Sequence, residues 1–240
     1  MSFDLICGDA FEHLRRTPDR AYDVTICDPP YSARVHRSGF LSVTKGKKIE
    51  RRPIRFDAFT RENIQDLVRE SLRTTKRWVL IFCTFEQIKD YTESAAGAWV
   101  CCGVYRKQNA TPGLSGRVPM NSCEAIAIMH AKSPKRWNGG GTHAFWQSTR
   151  ALGEKLVDTP KPLPLMRQLV GLFSDTNETV FDGFMGGGTT GVAALQLGRN
   201  FVGVERDVET FAKAKERIEA ASIGQTVAQM RAGQQRLFAK

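Results

Sequence analysis

The sequence predicts an α/β protein built on a mostly parallel sheet of seven strands with helices on both faces. The first observation is that short apolar runs of strand length alternate with segments whose apolar residues recur three and four positions apart. The second is that these runs are nearly continuous in apolar residues, which is typical of strands covered on both faces. A glycine triplet at 186–188, between one such run and a helical pattern, is the third. A length of 240 residues fits a single domain, residues 1–240, with room for small insertions.

The predicted elements follow these patterns along the chain. The strands cover residues 4–7, 23–27, 77–83, 100–106, 125–131, 178–183 and 200–205. One helix is predicted at 61–74, where Thr60 is a suitable N-cap, and another at 163–173. A third helix begins after the glycine triplet. The tail, residues 222–240, is rich in Gln, Ala and Arg and is compatible with an exposed helix or with a frayed end.

The charge balance predicts a polyanionic partner. Lys and Arg outnumber Asp and Glu by 35 to 25, which gives a formal net charge of +10. Part of this charge lies in an insertion at 32–59, which has only weak apolar periodicity. Its basic residues, opposed only by Glu50 in their span, are Arg34, Arg37, Lys45, Lys47, Lys48, Arg51, Arg52 and Arg55. We expect these side chains to contact phosphate groups.

A second insertion, residues 132–160, combines basic and aromatic residues without a sustained pattern. Its basic residues include Lys135 and Arg136, and its large aromatic residues are Trp137, Phe145 and Trp146. The aromatic residues are compatible with a small local core or with a wedge that replaces a displaced base. We predict that this segment is a small target-recognition lobe.

The most informative short stretch is Asp28, Pro29, Pro30 and Tyr31, directly after the predicted strand at 23–27. Two adjacent prolines remove two backbone donors and fix two φ angles, so the acid, the carbonyls and the ring are held rigidly. A carboxylate and a carbonyl can accept both hydrogens of a planar exocyclic amine and draw its nitrogen toward tetrahedral geometry, which frees the lone pair. Asp28 and the Pro29 carbonyl would be the acceptors, and Tyr31 would stack on the base. Such placement can contribute up to about 7–11 kcal/mol, and a paired base has to be flipped out to reach it.

The glycine-rich turn predicts a site for a cofactor that contains a nucleoside. Gly186, Gly188 and Gly191 satisfy the pattern G-x-G-x-x-G between a strand and a helix. Residues 183–190 also approach a phosphate-binding loop, but Thr189 stands where that loop requires lysine, which argues against a triphosphate. An acid at the end of the next strand, Glu205, is placed to accept hydrogen bonds from ribose hydroxyls.

Together, the box at 28–31 and the glycine turn resemble the motifs of DNA amino-methyltransferases, which use S-adenosylmethionine (SAM) to methylate adenine N6 or cytosine N4. The order of the motifs, with the catalytic box first and the cofactor loop last, resembles the circularly permuted β class. The resembling segments are 7–11, 28–31, 104–112, 159–170 and 181–207. The resemblance implies a Rossmann-like methyltransferase fold, SAM as the cofactor, and double-stranded DNA as the substrate.

The resemblance also implies the roles of individual residues. The catalytic residues would be Asp28, Pro29, Pro30 and Tyr31. The cofactor-binding residues would be Asp9, Ala10, Lys161, Asp182, Phe184, Gly186, Gly188, Thr189, Thr190 and Glu205. Asp9 would lie near the adenine of the cofactor, Lys161 beside its methionine end, and Thr189 and Thr190 within hydrogen-bonding distance of it. The chain departs from the family pattern at Gly183, where proline is usual, and at Gly187, where serine is common.

Several alternatives stay open at this point. Asp rather than Ser at the head of the box favours adenine N6, with cytosine N4 as the closest alternative. Glutamine methyltransferases of translation factors have a similar box, but it usually begins with Asn and follows the cofactor loop. The reversed order and the basic insertion argue against that class, and RNA is a less favoured substrate than DNA. The chain is short for the family, which predicts a small recognition segment and relaxed sequence specificity.

The remaining features predict an intracellular protein without a metal. The sequence has no signal-peptide pattern and no apolar run close to the 18 residues of a membrane span. Its six cysteines form no C-x-x-C pair, so zinc-ribbon spacing is absent. We expect a monomer or a homodimer in the reducing cytoplasm of a bacterial or phage-infected cell.

Overall fold

The computed structural model describes residues 1–30, 40–42, 50–52, 59–110, 121–131, 137–149 and 160–238. The strands are β1 Phe3–Cys7, β2 Tyr22–Cys27, β3 Phe40–Ser42, β4 Glu50–Arg52, β5 Thr75–Cys83, β6 Trp99–Lys107, β7 Cys123–His130, β8 Phe145–Ser148, β9 Thr179–Asp182 and β10 Asn200–Glu205. The α-helices are α1 Ala10–Arg16, α2 Arg61–Thr74, α3 Ile88–Ala95, α4 Leu163–Phe173, α5 Thr189–Gln196, α6 Val208–Ser222 and α7 Val227–Phe238. None of these helices is long and apolar enough to cross a membrane.

Eight strands form one sheet in the order β1-β10-β9-β2-β5-β7-β6-β8. Every neighbouring pair is parallel except the two pairs that contain β7, which runs antiparallel to both β5 and β6. The prediction of a mostly parallel α/β fold is therefore confirmed, and each of the seven predicted strands is present. The predicted number of strands was one too low for this sheet, because β8 was missed.

The missed strand lies within the predicted recognition segment at 132–160. β8 has four residues, and exposed and buried positions alternate along it. It pairs in parallel with β6 at the edge of the sheet, with Val104 opposite Phe145 and Tyr105 opposite Trp146. A strand this short contributes too few apolar residues to stand out as a pattern in the sequence.

Helices cover both faces of the sheet, and each face has its own apolar core. On one face α4, α5 and α6 pack against residues such as Leu80 and Phe82 of β5. On the other face α1, α2 and α3 pack against the alternate residues of the same strand, such as Val79 and Ile81. This alternation follows from the period of two along a strand and explains why β5 is apolar throughout.

The helices predicted from periodicity are confirmed at their predicted bounds. Thr60 caps α2 in a reciprocal arrangement: its hydroxyl accepts from the backbone N–H of Asn63 at 3.3 Å, and the Asn63 side chain accepts from the backbone N–H of Thr60 at 3.0 Å. Helix α4 covers Leu163–Phe173 and has proline in its first turn, where a missing N–H costs nothing. The tail forms a helix, α7, so the first of its two interpretations is the correct one.

The basic insertion at 32–59 is described only in part. Its described strands, β3 and β4, form an antiparallel pair in which Phe40 faces Arg52 and Leu41 faces Arg51. The other predicted phosphate contacts lie outside the described residues, and these are Arg34, Arg37, Lys45, Lys47, Lys48 and Arg55. Contact between this insertion and DNA stays a prediction.

The aromatic residues of the second insertion divide between core and surface. The Trp137 ring lies 4.8 Å from the Phe173 ring, and the Trp146 ring lies 6.2 Å from it, all distances being between centroids. Trp146 is 5% exposed, whereas its neighbour Phe145 is 50% exposed. Trp146 therefore belongs to the main core, and Trp137, which is partly buried, packs against it. Lys135 and Arg136 lie outside the described residues, so a role of this segment in target recognition stays a prediction.

The position of β8 predicts that substitution of two adjacent aromatic residues will change the stability of the protein by very different amounts. Trp146→Ala should lower the free energy of unfolding by about 3–5 kcal/mol, because it leaves a cavity against Phe173 and β6. Phe145→Ala removes an exposed ring and should change that free energy by less than about 0.5 kcal/mol. Chemical unfolding of both variants checks this, and equal losses would contradict the placement of β8.

Candidate functional site

Acidic residues lie at the ends of four neighbouring parallel strands. Asp9 follows β1, Glu205 ends β10, Asp182 ends β9, and Asp28 follows β2. Because parallel strands end at the same edge of a sheet, all four acids line that edge. The crevice at this edge is where ligands bind in open α/β sheets.

An open cleft at this edge brings the two predicted motifs together. The cleft is open to solvent, and its empty space of about 400 Å³ includes part of that solvent. Asp28 and Lys161 line one part of it, and Asp182, Gly186 and Gly187 line another. The acid–proline–proline box and the glycine turn are far apart in the sequence, but they face one cleft.

The carboxylate of Asp28 is paired with a lysine. The Nζ of Lys161 donates to the Oδ2 of Asp28 at 2.6 Å and lies 3.1 Å from the Oε2 of Glu124. The same Nζ lies 4.6 Å from the centroid of the Phe82 ring. The Lys161 side chain is only 11% exposed, so its ammonium is held by two carboxylates and an aromatic face rather than by water.

Glu124 is a buried acid that the sequence patterns did not identify as part of the site. It lies at the start of β7, and its carboxylate pairs with Lys161 and with Lys107. Burial by itself would raise the pKa of the Glu124 carboxyl, but the two ammonium groups outweigh it and lower that pKa to about 2. Glu124 is therefore ionised at neutral pH.

Asp182 has the opposite electrostatic environment. Its carboxylate accepts from the Thr190 hydroxyl at 2.6 Å and from the backbone N–H of Phe184 at 3.0 Å. Burial, the largest effect, together with the nearby charges of Asp28 and Glu205, raises the pKa of Asp182 to about 7. This carboxyl therefore titrates much closer to neutral pH than an exposed aspartate does.

The glycine turn adopts the backbone that its sequence predicts. Gly186 and Gly188 have φ angles of +49° and +74°, a region that side chains disfavour. At Gly188 a Cβ atom would also lie 2.9 Å from the Ile218 side chain, so close packing of α6 requires this glycine. At Gly186 the nearest atom to such a Cβ would be the Phe184 carbonyl oxygen at 4.0 Å, so this glycine faces open space in the cleft.

Glu205 supports the turn from the neighbouring strand. Its carboxylate accepts from the backbone N–H of Gly186 at 3.0 Å and from that of Asp207 at 2.9 Å. The residue is 9% exposed. The two bonds use about half of the hydrogen-bond acceptor positions of its carboxylate. Its predicted contact with a ribose stays a prediction.

The two threonines after the glycines hydrogen-bond to the protein. Thr190 donates to Asp182, and the Thr189 hydroxyl accepts from the guanidinium of Arg217 at 2.9 Å. Arg217 also donates to the Gly187 carbonyl at 2.9 Å, and so connects α6 to the glycine turn. Its position among the charged residues of an amphipathic helix gave no sign of this role. The predicted contacts of both threonines with a cofactor stay predictions.

The other predicted site residues lie at the same edge. Asp9 caps α1, where its side chain accepts from the backbone N–H of Glu12 at 2.9 Å, and Ala10 is buried behind it. The Phe184 ring contacts the rings of Phe11 and Phe59 edge-on. Pro29 is buried and Pro30 half-buried, while Tyr31 lies outside the described residues.

A carboxylate at a strand end faces a glycine turn across one cleft, on a mostly parallel sheet that helices cover on both faces. Ligand sites of α/β proteins commonly lie in such a crevice. The family model described as DNA methylase, for N6 and N4 methylation, matches residues 44–216, more than half of the chain. The chain belongs to this family of N6-adenine and N4-cytosine DNA methyltransferases.

Individual relatives agree with this family. The type II methyltransferase M.HinfI from Haemophilus influenzae is 24% identical over 246 aligned positions, which cover 89% of this chain and 67% of that protein. The crystal structure of an M1.HpyAVI–SAM complex matches with a TM-score of 0.67 and 22% identity, over 90% of this chain and 98% of the other. The cytosine-N4-specific PvuII DNA methyltransferase matches with a TM-score of 0.67 and 11% identity, over 90% of this chain and 86% of the other.

The environment of Asp182 predicts a pH dependence of stability. Its pKa is raised in the folded protein from 3.8 to about 7, so between these values the folded chain binds more protons than the unfolded chain. The free energy of unfolding should therefore fall as the pH rises across this interval, by at most about 1.4 kcal/mol per pH unit from this group. Asp182→Asn should flatten that slope, and urea unfolding at a series of pH values measures it.

The matched control for this prediction is Glu93→Gln, which removes a half-exposed surface carboxylate paired with Arg61. It should leave the slope as it is in the unchanged protein. An Asp182→Asn slope as steep as that of the control would contradict the assignment.

Proposed function

We propose that this protein is a SAM-dependent DNA methyltransferase that transfers a methyl group to the N6 amine of an adenine flipped out of duplex DNA. The observation that carries the proposal is that Asp28 and the glycine turn line one cleft. The chain order, with the box after β2 and the glycine turn after β9, supports assignment to the circularly permuted β class.

The cleft suits the cofactor that its family uses. The open space at Gly186 lets a ligand approach the backbone, and the N-terminus of α5 lies at the same turn. Glu205 at the end of β10 would hold the ribose, and Asp9 with Ala10 would lie near the adenine. Phe184, Gly188, Thr189 and Thr190 would complete the wall, with Asp182 behind them and Lys161 beside the methionine end.

On the other side of the cleft, the box would hold the target amine. The carboxylate of Asp28 and the carbonyl of Pro29 would accept its two N–H hydrogens. Pro29 and Pro30 fix the backbone between these acceptors, so little reorganisation is needed when a base arrives. Tyr31 would supply an aromatic face on which the base stacks.

Methyl transfer then requires that the amine be placed against the methyl group and that the charge developing on its nitrogen be balanced. When bound, SAM would supply an electrophilic methyl group on a positively charged sulfur, so that a new N–C bond to the amine would replace the C–S bond. The nitrogen gains positive charge as it reacts, and the Asp28 carboxylate beside it stabilises that charge. One amine proton is afterwards released to solvent.

Double-stranded DNA is the proposed partner because the chain carries a net charge of +10. The basic residues of 32–59 follow the box directly, so they would contact phosphates next to the flipped base. Arg51 and Arg52, which belong to the β3–β4 pair, are the members of this set whose backbone positions are described.

The identity of the methylated base tests the proposal. The protein should transfer labelled methyl groups from SAM to random-sequence duplex DNA, and digestion to nucleosides should yield N6-methyl-2′-deoxyadenosine. N4-methyl-2′-deoxycytidine instead would support the alternative, a cytosine-N4 enzyme. Label found in RNA or in protein glutamine but not in DNA would refute the proposal.

The role of Asp28 predicts a separation of methyl transfer from cofactor binding. Asp28→Ala should lower the methylation rate by roughly 100-fold or more, the usual loss when one preorganised catalytic group is removed. The dissociation constant for SAM, measured by calorimetry, should stay essentially unchanged, because the acid is proposed to hold the base. Retained turnover would show that another residue holds the amine.

A further inference from the structure

Four charged side chains of alternating sign form a chain that ends at the cleft. Lys107 pairs with Glu124, Glu124 pairs with Lys161, and Lys161 pairs with Asp28. Three of the four are largely buried, with side-chain exposures of 12%, 11% and 27% for Glu124, Lys161 and Asp28. Two positive and two negative charges leave the group neutral as a whole.

The strand order explains how these residues meet. β5 lies between β2 and β7, and the end of β5 carries Phe82. Asp28 follows the end of β2, and Glu124 lies at the start of the antiparallel β7, so both reach the same edge on either side of β5. Lys161 spans the gap, with its Nζ over the Phe82 ring.

We propose that Glu124 is a positioning residue for methyl transfer, which acts by holding the Lys161 ammonium against the catalytic carboxylate of Asp28. This inference rests on the proposed function, because it assigns Asp28 to the target amine. Glu124 itself is not among the residues that line the cleft.

One carboxylate is a weak constraint on the position of a lysine ammonium. A lysine side chain has several rotatable bonds, and its rotamer entropy opposes any single position. With only Asp28 as a partner, the ammonium could rotate with that carboxylate and block its acceptor oxygen. The second bond to Glu124, together with the Phe82 face, fixes the ammonium from two further directions. Asp28 is then held in one orientation toward the cleft.

A simpler role for Glu124 is to join β6 and β7 through its ion pair with Lys107. The two residues lie on neighbouring strands, with Tyr105 opposite Glu124 in the ladder. That role would make Lys107 and Glu124 equivalent in their effect on activity. The positioning role makes them different, because only Glu124 contacts Lys161.

The experiment uses four variants of the full chain: Glu124→Gln, Lys107→Met, Lys161→Met, and the double variant Glu124→Gln with Lys161→Met. Glutamine keeps the volume of Glu124 and one acceptor oxygen, but it removes the charge and replaces the other oxygen by an NH2 donor. For each variant kcat for DNA methylation, the SAM dissociation constant and the thermal midpoint are measured.

If Glu124 acts through Lys161, Glu124→Gln lowers kcat about tenfold, as expected for the loss of one buried ion pair. Any accompanying change in SAM affinity should be no larger than that in Lys161→Met, because Lys161 is also assigned to the methionine end of the cofactor. The double variant then loses no more than Lys161→Met alone, because Lys161, through which Glu124 is proposed to act, is already gone. Lys107→Met changes kcat by less than about twofold, since the bond between Glu124 and Lys161 remains.

Three results would overturn the inference: an unchanged kcat in Glu124→Gln, losses that add in the double variant, or equal losses in Lys107→Met and Glu124→Gln. If Glu124→Gln is unfolded at the assay temperature, the Lys107→Met result decides. A normal kcat there supports the positioning role, and a tenfold loss supports the strand-joining role. Failure of the proposed function is separate, since the unchanged protein would then methylate no DNA.

Discussion

The whole site depends on one constraint, which is that four acids share the carboxyl edge of the parallel sheet. Neighbouring like charges repel, so each carboxylate needs its own compensation. Glu205 receives two backbone N–H groups, and Asp9 lies at the positive N-terminus of α1. Asp182 is the most buried of the four, and burial raises its pKa to about 7. Asp28 is paired with the Lys161 ammonium.

The antiparallel strand β7 brings Glu124 to this edge, which a fully parallel sheet could not do. In a parallel β7, Glu124 would lie at the opposite edge, far from Asp28. Because β7 runs antiparallel, its first residues lie beside the last residues of β5, where Cys83 faces Ala125. The reversal therefore places the Glu124 carboxylate beside Lys161. The Lys161 ammonium then pairs with two carboxylates, Asp28 after β2 and Glu124 on β7.

Local information was sufficient to predict much of the fold, and the missing parts are those that depend on distant residues. Thr60 and the periodicity after it define α2 within one stretch of sequence, so that prediction was correct. The box and the glycine turn could also be recognised from short stretches of sequence. Only the structure shows that both line one cleft. Glu124 was missed because its place depends on the direction of β7, which no local pattern encodes. Arg217 was missed because its partners lie on the turn before α5, and its own helix shows only a charged surface pattern.

The acidic edge and the basic composition of the chain fit together under the proposed function. An edge rich in carboxylates attracts a cationic methyl donor but repels the phosphates that flank a target base. Positive side chains must therefore lie close to the edge but outside the cleft. The sequence order is compatible with this need, because the basic insertion follows the box directly. Under the proposed function, its side chains would contact phosphates near the flipped base, while the Lys161 ammonium balances the charge of Asp28 inside the cleft.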